Sequence, residues 1–163
     1  NTTSRSINYG FYINIADCFN NCTMENILKQ NAQRKYRRII MASSLQASVS
    51  FKWSELECKC GCRTRYVQDE AIDTLQRLRN ILQRPMIINS AARCPLHNVR
   101  VGGSPKSQHR ATEQCPSTAF DISLKGLDKQ DLIEAAKAAG FKGLGINYKS
   151  FVHVDNRKYF ATW

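Results

Sequence analysis

The 163-residue sequence contains three histidines, His97, His109 and His153, and two of them fall where an imidazole can be put to chemical use. His153 lies within Phe151-Val-His-Val-Asp155. Alternation along such a run predicts a strand with Val152 and Val154 on one face and His153 and Asp155 on the other. Asp121 sits in an otherwise apolar run, Ala119-Phe-Asp-Ile-Ser123, and His109 follows a turn-rich loop in Ser107-Gln108-His109. Two imidazoles and a carboxylate suit catalytic zinc, which keeps a fourth position for water. The metal lowers the pKa of that water and polarises a scissile carbonyl. On spacing alone, structural roles for these histidines are the commoner explanation.

Periodicity along the chain makes the supporting helices and strands legible. Asp69 is an expected N-cap for a helix running to about Gln83, with Val67, Ala71, Leu75, Leu78 and Leu82 forming one apolar stripe before Pro85. Met86 to Asn89 reads as a buried strand, and Ala91 to Lys106 as a long loop turned by Gly102, Gly103 and Pro105. Thr118 to Leu124 reads as a second strand. Asp128 is expected to cap a second helix that closes at Gly140. Two more strands are expected at Leu144 to Tyr148 and Phe151 to Asp155, and nearer the start Val49 to Trp53 reads as extended, with Ser54 capping a turn. The expected class is α+β, a mainly antiparallel sheet flanked by helices. Residues 1–45, with the basic stretch Arg34, Lys35, Arg37 and Arg38, read as an N-terminal arm, and residues 46–163 as the domain.

Composition narrows the partners. A hydrophobic content of 42% with 23% charged residues fits a globular chain. No apolar run approaches the roughly 20 residues of a membrane span. The formal net charge of +11 favours anionic polymers. Nucleic-acid binding through Arg34 to Arg38 is the weakest of the readings this charge allows. Of the seven cysteines, Cys58, Cys60 and Cys62 crowd into Cys-Lys-Cys-Gly-Cys, too close to favour pairing with one another. With Cys94 they form either a structural zinc site or one or two disulfides that tie the start of the domain to the Arg93 loop.

From about Phe51 to Trp163 the chain resembles the zinc D-Ala-D-Ala carboxypeptidase family, whose phage and bacterial members share a fold with the hedgehog signalling domain. The resemblance is carried by Phe51-Lys-Trp-Ser-Glu-Leu-Glu-Cys58-Lys-Cys60-Gly and Ile88-Asn-Ser-Ala-Ala-Arg93-Cys94-Pro. It continues through His97-Asn98, Val101-Gly102-Gly103, Ser107-Gln108-His109, Ala119-Phe-Asp121-Ile and Phe151-Val-His153-Val-Asp155-Asn-Arg157.

The resemblance implies one catalytic zinc on His109, Asp121 and His153. Arg93 would hold the substrate's carboxylate or polarised carbonyl, Ser107 and Gln108 would form the pocket rim, and His97-Asn98 would brace the loop. Two departures stand out. The gap between His109 and Asp121 is longer than the family's usual one, an insertion carrying Glu113, Cys115 and Pro116. Many relatives carry an acidic residue three places before the last histidine, where this chain has Ser150. Asp155 is then the first candidate for the general base and Glu113 the second.

The implied function is hydrolysis of peptidoglycan stem peptides, of D,D-carboxypeptidase or endopeptidase type, at the bacterial cell wall by a phage-encoded, virion-associated or secreted protein. The rival reading is a wall-binding or partner-binding module that keeps its metal for structure.

Overall fold

Hydrophobic periodicity in the sequence resolves into a mixed sheet and its covering helices. A computed structural model describes residues 47–163. The expected basic arm, with Arg34 to Arg38, and Cys18 and Cys22 lie outside the described residues. Elements are numbered within that range: α1 (Trp53–Leu56), α2 (Asp69–Leu82), β1 (Ile88–Ser90), α3 (Pro95–Arg100), β2 (Ala119–Ser123), α4 (Lys129–Ala139), β3 (Gly143–Gly145), β4 (Phe151–Asp155) and β5 (Ala161–Thr162).

The α2 stripe buries Ala71, Ile72, Leu75 and Leu78, as 3.6-residue spacing requires. Asp69 occupies the first turn of α2 and Gln68 is the N-cap, one residue earlier than the sequence suggested. The carboxylates of Asp69 and Glu70 still stand at the positive end of the helix dipole. Gln83 ends the helix in the left-handed conformation, φ 52°, two residues before Pro85. At α4 the expected caps are both present. The Asp128 carboxylate accepts from the Gln130 and Asp131 amides, and Gly140 closes the helix at φ 104°. The two long helices pack on each other and α4 also packs on β4. Their apolar faces and the inner face of the sheet share one core containing Phe120, Ile122, Leu132, Phe141, Val152 and Val154, none more than 2% exposed.

Several local expectations need correction: β1 spans Ile88–Ser90 rather than Met86 to Asn89, and β3 spans Gly143–Gly145 rather than Leu144 to Tyr148. Ala91 to Lys106 is not all loop, because α3 interrupts it. Pro95 at the first helical position and a Cys94 sulfur accepting from the His97 amide start that helix despite its short length. Trp53 and Ser54 belong to α1 rather than to an extended run and a turn cap, since Lys52 is the N-cap and Glu55 reaches back to its amide.

The strand order is β1-β2-β4-β3-β5. Three of the pairings are antiparallel and β3–β5 is parallel, so the mainly antiparallel sheet acquires a parallel edge. Register decides the chemistry. In β2–β4, Asp121 lies opposite His153 and Ala119 opposite Asp155. In β3–β4, Gly145 lies opposite His153 and Gly143 opposite Asp155. Cross-strand partners project to the same face, so the outer face gathers Asp121, His153 and Asp155 beside two residues without side chains. A one-residue slip would send this polar set into the core.

Candidate metal centre

The β2–β4 register puts a carboxylate and an imidazole side by side, and a loop delivers the second imidazole. His109 enters through a parallel bridge between Arg93 and Arg110, with Arg93 N–H donating to His109 O at 2.8 Å and Ala111 N–H to Arg93 O at 2.8 Å. Its Nδ1 lies 2.7 Å from Ala91 O, which assigns the proton to Nδ1 and leaves Nε2 as a lone-pair donor. His109 Nε2, His153 Nδ1 and Asp121 Oδ1 then lie 2.9 to 3.1 Å from one another. All three residues are buried. Tetrahedral ligands of zinc, each about 2.0–2.1 Å from the ion, stand about 3.3 Å apart. The three donor atoms therefore fit the metal with a few tenths of an ångström of adjustment.

The residues behind the donors fix their orientation. His153 Nε2 lies 3.0 Å from Asp155 Oδ2, so this ring carries its proton on Nε2 and turns Nδ1 to the centre. Asp155 is fully buried, with Arg157 Nε and Nη2 donating to its two oxygens at 2.8 and 2.6 Å. Burial alone would raise the Asp155 pKa. The Arg157 fork and the His153 ring outweigh that and hold it at about 2. Burial likewise opposes ionisation of Asp121, yet the hydrogen bonds of His109 and His153 keep its pKa well below the usual carboxylate range. Burial pushes His109 down, towards the neutral form a ligand needs. For His153 the same desolvation is overcome by Asp121 and Asp155, which push its pKa up.

Gly143 makes room for this arrangement. A Cβ there would fall 2.3–2.4 Å from the Asp155 carboxylate atoms, and one at Gly145 would fall 2.9 Å from His153 Cβ. Neither glycine has the left-handed backbone that otherwise calls for the residue, so the requirement is space.

The centre opens into a cleft of about 1010 Å³. Arg93 lines it, its Nε donating to Ser90 Oγ at 2.8 Å and its Nη2 to Asp121 Oδ2. Ser107 and Gln108 also line it. Ser107 Oγ accepts from the His109 amide at 3.3 Å, and Gln108 Oε1 accepts from Thr118 Oγ1 at 2.9 Å. His97 is elsewhere, 3.1 Å from Cys58 Sγ through Nδ1. Asn98 braces the neighbouring loop, donating to Gly103 O and Ser104 O at 3.1 and 2.9 Å. Neither candidate base lines the cleft. Asp155 lies behind His153, and Glu113 is exposed on the insertion. The aromatic wall of Tyr148, Phe151, Tyr159 and Trp163 carries no spacing signal in the sequence. Trp163 reaches the centre from the end of the chain, its ring 5.4 Å from His153 and 4.4 Å from the Arg157 guanidinium carbon.

Exchanging Asp155 for asparagine keeps the shape and removes the charge behind His153. Partners of this kind tune affinity by about 10–100-fold. Asp155→Asn should weaken zinc binding by that factor in a competition titration against a chromogenic chelator. Unchanged affinity would remove Asp155 from the support of the centre.

No curated protein matches the chain. The sequence model of the family described as Peptidase M15 matches residues 49–155, a span that begins ahead of α1, ends with Asp155 and includes His109, Asp121 and His153. That family implies zinc, and the donor set found at the centre fits it. With about two-thirds of its length matched, the chain belongs to the Peptidase M15 family, a zinc metallopeptidase.

Proposed function

We propose that this metallopeptidase hydrolyses peptide bonds in the stem peptides of bacterial peptidoglycan, as a D,D-carboxypeptidase or endopeptidase. The observation that carries the reading is the charge of the cleft. Arg93, Lys106, Arg157 and Lys158 line it, and Asp121 is the one acidic residue in its wall among the described residues. A stem peptide bears free carboxylates at its C-terminus and on its branching residues, and a cationic cleft holds such groups better than a neutral one. Arg93 can present its fork to a substrate carboxylate or carbonyl while remaining anchored to Ser90 and Asp121. The aromatic wall offers flat apolar surface to the peptide backbone and shields the reacting bond from bulk water. Zinc on His109, Asp121 and His153 supplies Lewis acidity to a carbonyl and to water. The excess of basic residues over the whole chain would retain it on anionic wall polymer, at the cell wall, whether the protein is phage-encoded, virion-associated or secreted.

Purified peptidoglycan provides the test. Chelation should abolish release of stem-peptide fragments, and added zinc should restore it, followed by chromatography of the digest. Equal digestion by chelated and untreated protein would overturn the proposal. The wall of the cleft also supports a second reading, a wall-binding or partner-binding module, because Asp121 is its one carboxylate among the described residues. A binder would sediment with peptidoglycan and release nothing. If the chain hydrolyses, the two carboxylates singled out in the sequence separate in single variants. Loss in Glu113→Gln with hydrolysis retained in Asp155→Asn assigns the proton acceptor to the insertion. Loss in Asp155→Asn alone assigns it to β4 only if the zinc content is unchanged, because that substitution also weakens zinc binding.

A further inference from the structure

The described residues hold a second group of metal-ligating side chains that the peptidase site does not use. The Sγ atoms of Cys58, Cys60, Cys62 and Cys94 all lie within 4.8 Å of one another. Cys58 and Cys60 sulfurs are 3.4 Å apart and those of Cys60 and Cys94 3.7 Å. A disulfide would require about 2.05 Å. Four sulfurs about 2.3 Å from a tetrahedral zinc stand about 3.8 Å apart. All four cysteines are free thiols in this structure. The backbone bends to gather them, with Gly61 at φ 86° and Arg63 at φ 57°. Cys94 arrives from 32 residues further on at the start of α3.

We propose that Cys58, Cys60, Cys62 and Cys94 bind a structural zinc ion that clasps the turn after α1 to the loop carrying Arg93. The surrounding hydrogen bonds suit sulfur in its anionic form. The Cys94 amide donates to Cys58 Sγ at 3.4 Å, the His97 amide to Cys94 Sγ at 3.4 Å, and His97 Nδ1 lies 3.1 Å from Cys58 Sγ. Thr64 Oγ1 lies 3.2 Å from Cys62 Sγ. A divalent ion would take the four sulfurs as thiolates and release the protons they carry. Four sulfur ligands fill the tetrahedron and leave no position for substrate, so this zinc is structural. His97 stays outside the ligand set and donates Nδ1–H to a ligand sulfur.

The clasp would act on the peptidase centre through a short span of chain. Ala92 N–H donates to Leu56 O at 3.1 Å, Ala91 O accepts from His109, and Arg93 N–H donates to His109 O at 2.8 Å. Fixing Cys94 fixes the end of the segment that holds both Arg93 and the tautomer of His109.

The test uses the full chain with His109→Ala and His153→Ala, which empties the peptidase site and separates this proposal from the one above. Purified under reducing conditions, that variant should retain about one zinc per chain by elemental analysis. Adding Cys60→Ser and Cys94→Ser should reduce it to near zero, whereas adding His97→Ala should leave it in place. Should the cysteine variants fail to fold, cobalt exchanged into the His109→Ala, His153→Ala chain should show the charge-transfer band of thiolate ligation. A chain without zinc and without that band overturns the proposal, as does recovery of the four cysteines as disulfides. Loss of zinc with His97→Ala overturns the ligand set.

Discussion

Alanine in place of His153 should abolish hydrolysis and remove about one equivalent of zinc per chain. The three donors at the centre are the minimum that holds a catalytic ion with one position left over, and no other His, Cys or carboxylate side chain joins that group among the described residues. Losing Nδ1 leaves Asp121 and His109 with an opening on the side facing β4. Asp155 cannot fill it, because it is fully buried and both of its oxygens are held by Arg157. The rate should fall by more than about a thousandfold, equivalent to roughly 4 kcal/mol of transition-state stabilisation. His109→Ala should give the same loss from a different element, a loop rather than a strand. Folding is monitored separately by the thermal transition, since His153 also contacts the Trp163 ring. A folded His153→Ala protein that cleaves at the original rate would remove the three-residue centre from the reaction.

How much of this the sequence discloses depends on how local the determining physics is. Alternation places His153 and Asp155 on one strand face, and the 3.0 Å contact between them follows from that spacing. The helix stripes and the Asp128 and Gly140 caps are equally local, as observed in α2 and α4. The convergence of His109, Asp121 and His153 is not. Periodicity alone makes structural roles the commoner explanation, and the weight comes from resemblance over many motifs. Three features leave no local signal because they depend on partners distant in the chain. The parallel β3–β5 edge is set by pairing of Gly143 with Ala161 and Leu144 with Thr162. Trp163 becomes part of the site only because β5 pairs with β3 and brings its ring to His153. Gly143 looks like an ordinary turn residue until the Asp155 carboxylate is found where its Cβ would be. Asp155 shares the His153 face by alternation, while its position behind that ring follows from Arg157, two residues along, claiming both oxygens.

Arg93 gives the second large effect, and it separates anchoring from support. Its side chain spans Ser90 Oγ and Asp121 Oδ2 while lining the cleft, so a planar fork is used on two sides at once. Removing a preorganised donor from an active site lowers the rate about 10²–10³-fold, and Arg93→Ala should reduce kcat/KM by that factor. Lysine should recover little of it. A single ammonium on a flexible stem does not reproduce two directed contacts plus one to substrate. Zinc content must be measured alongside, because Arg93 also touches a ligand carboxylate; a fall in zinc matching the fall in rate would make Arg93 a support of the metal. If it anchors the substrate's terminal carboxylate, the proof lies in a cycle of four measurements. Amidating that carboxylate should cost the original protein about the same factor as Arg93→Ala, and should cost the variant almost nothing further. Additive losses would show that Arg93 and the carboxylate do not meet, and the cationic cleft would then hold its substrate through Lys106 or Lys158 instead.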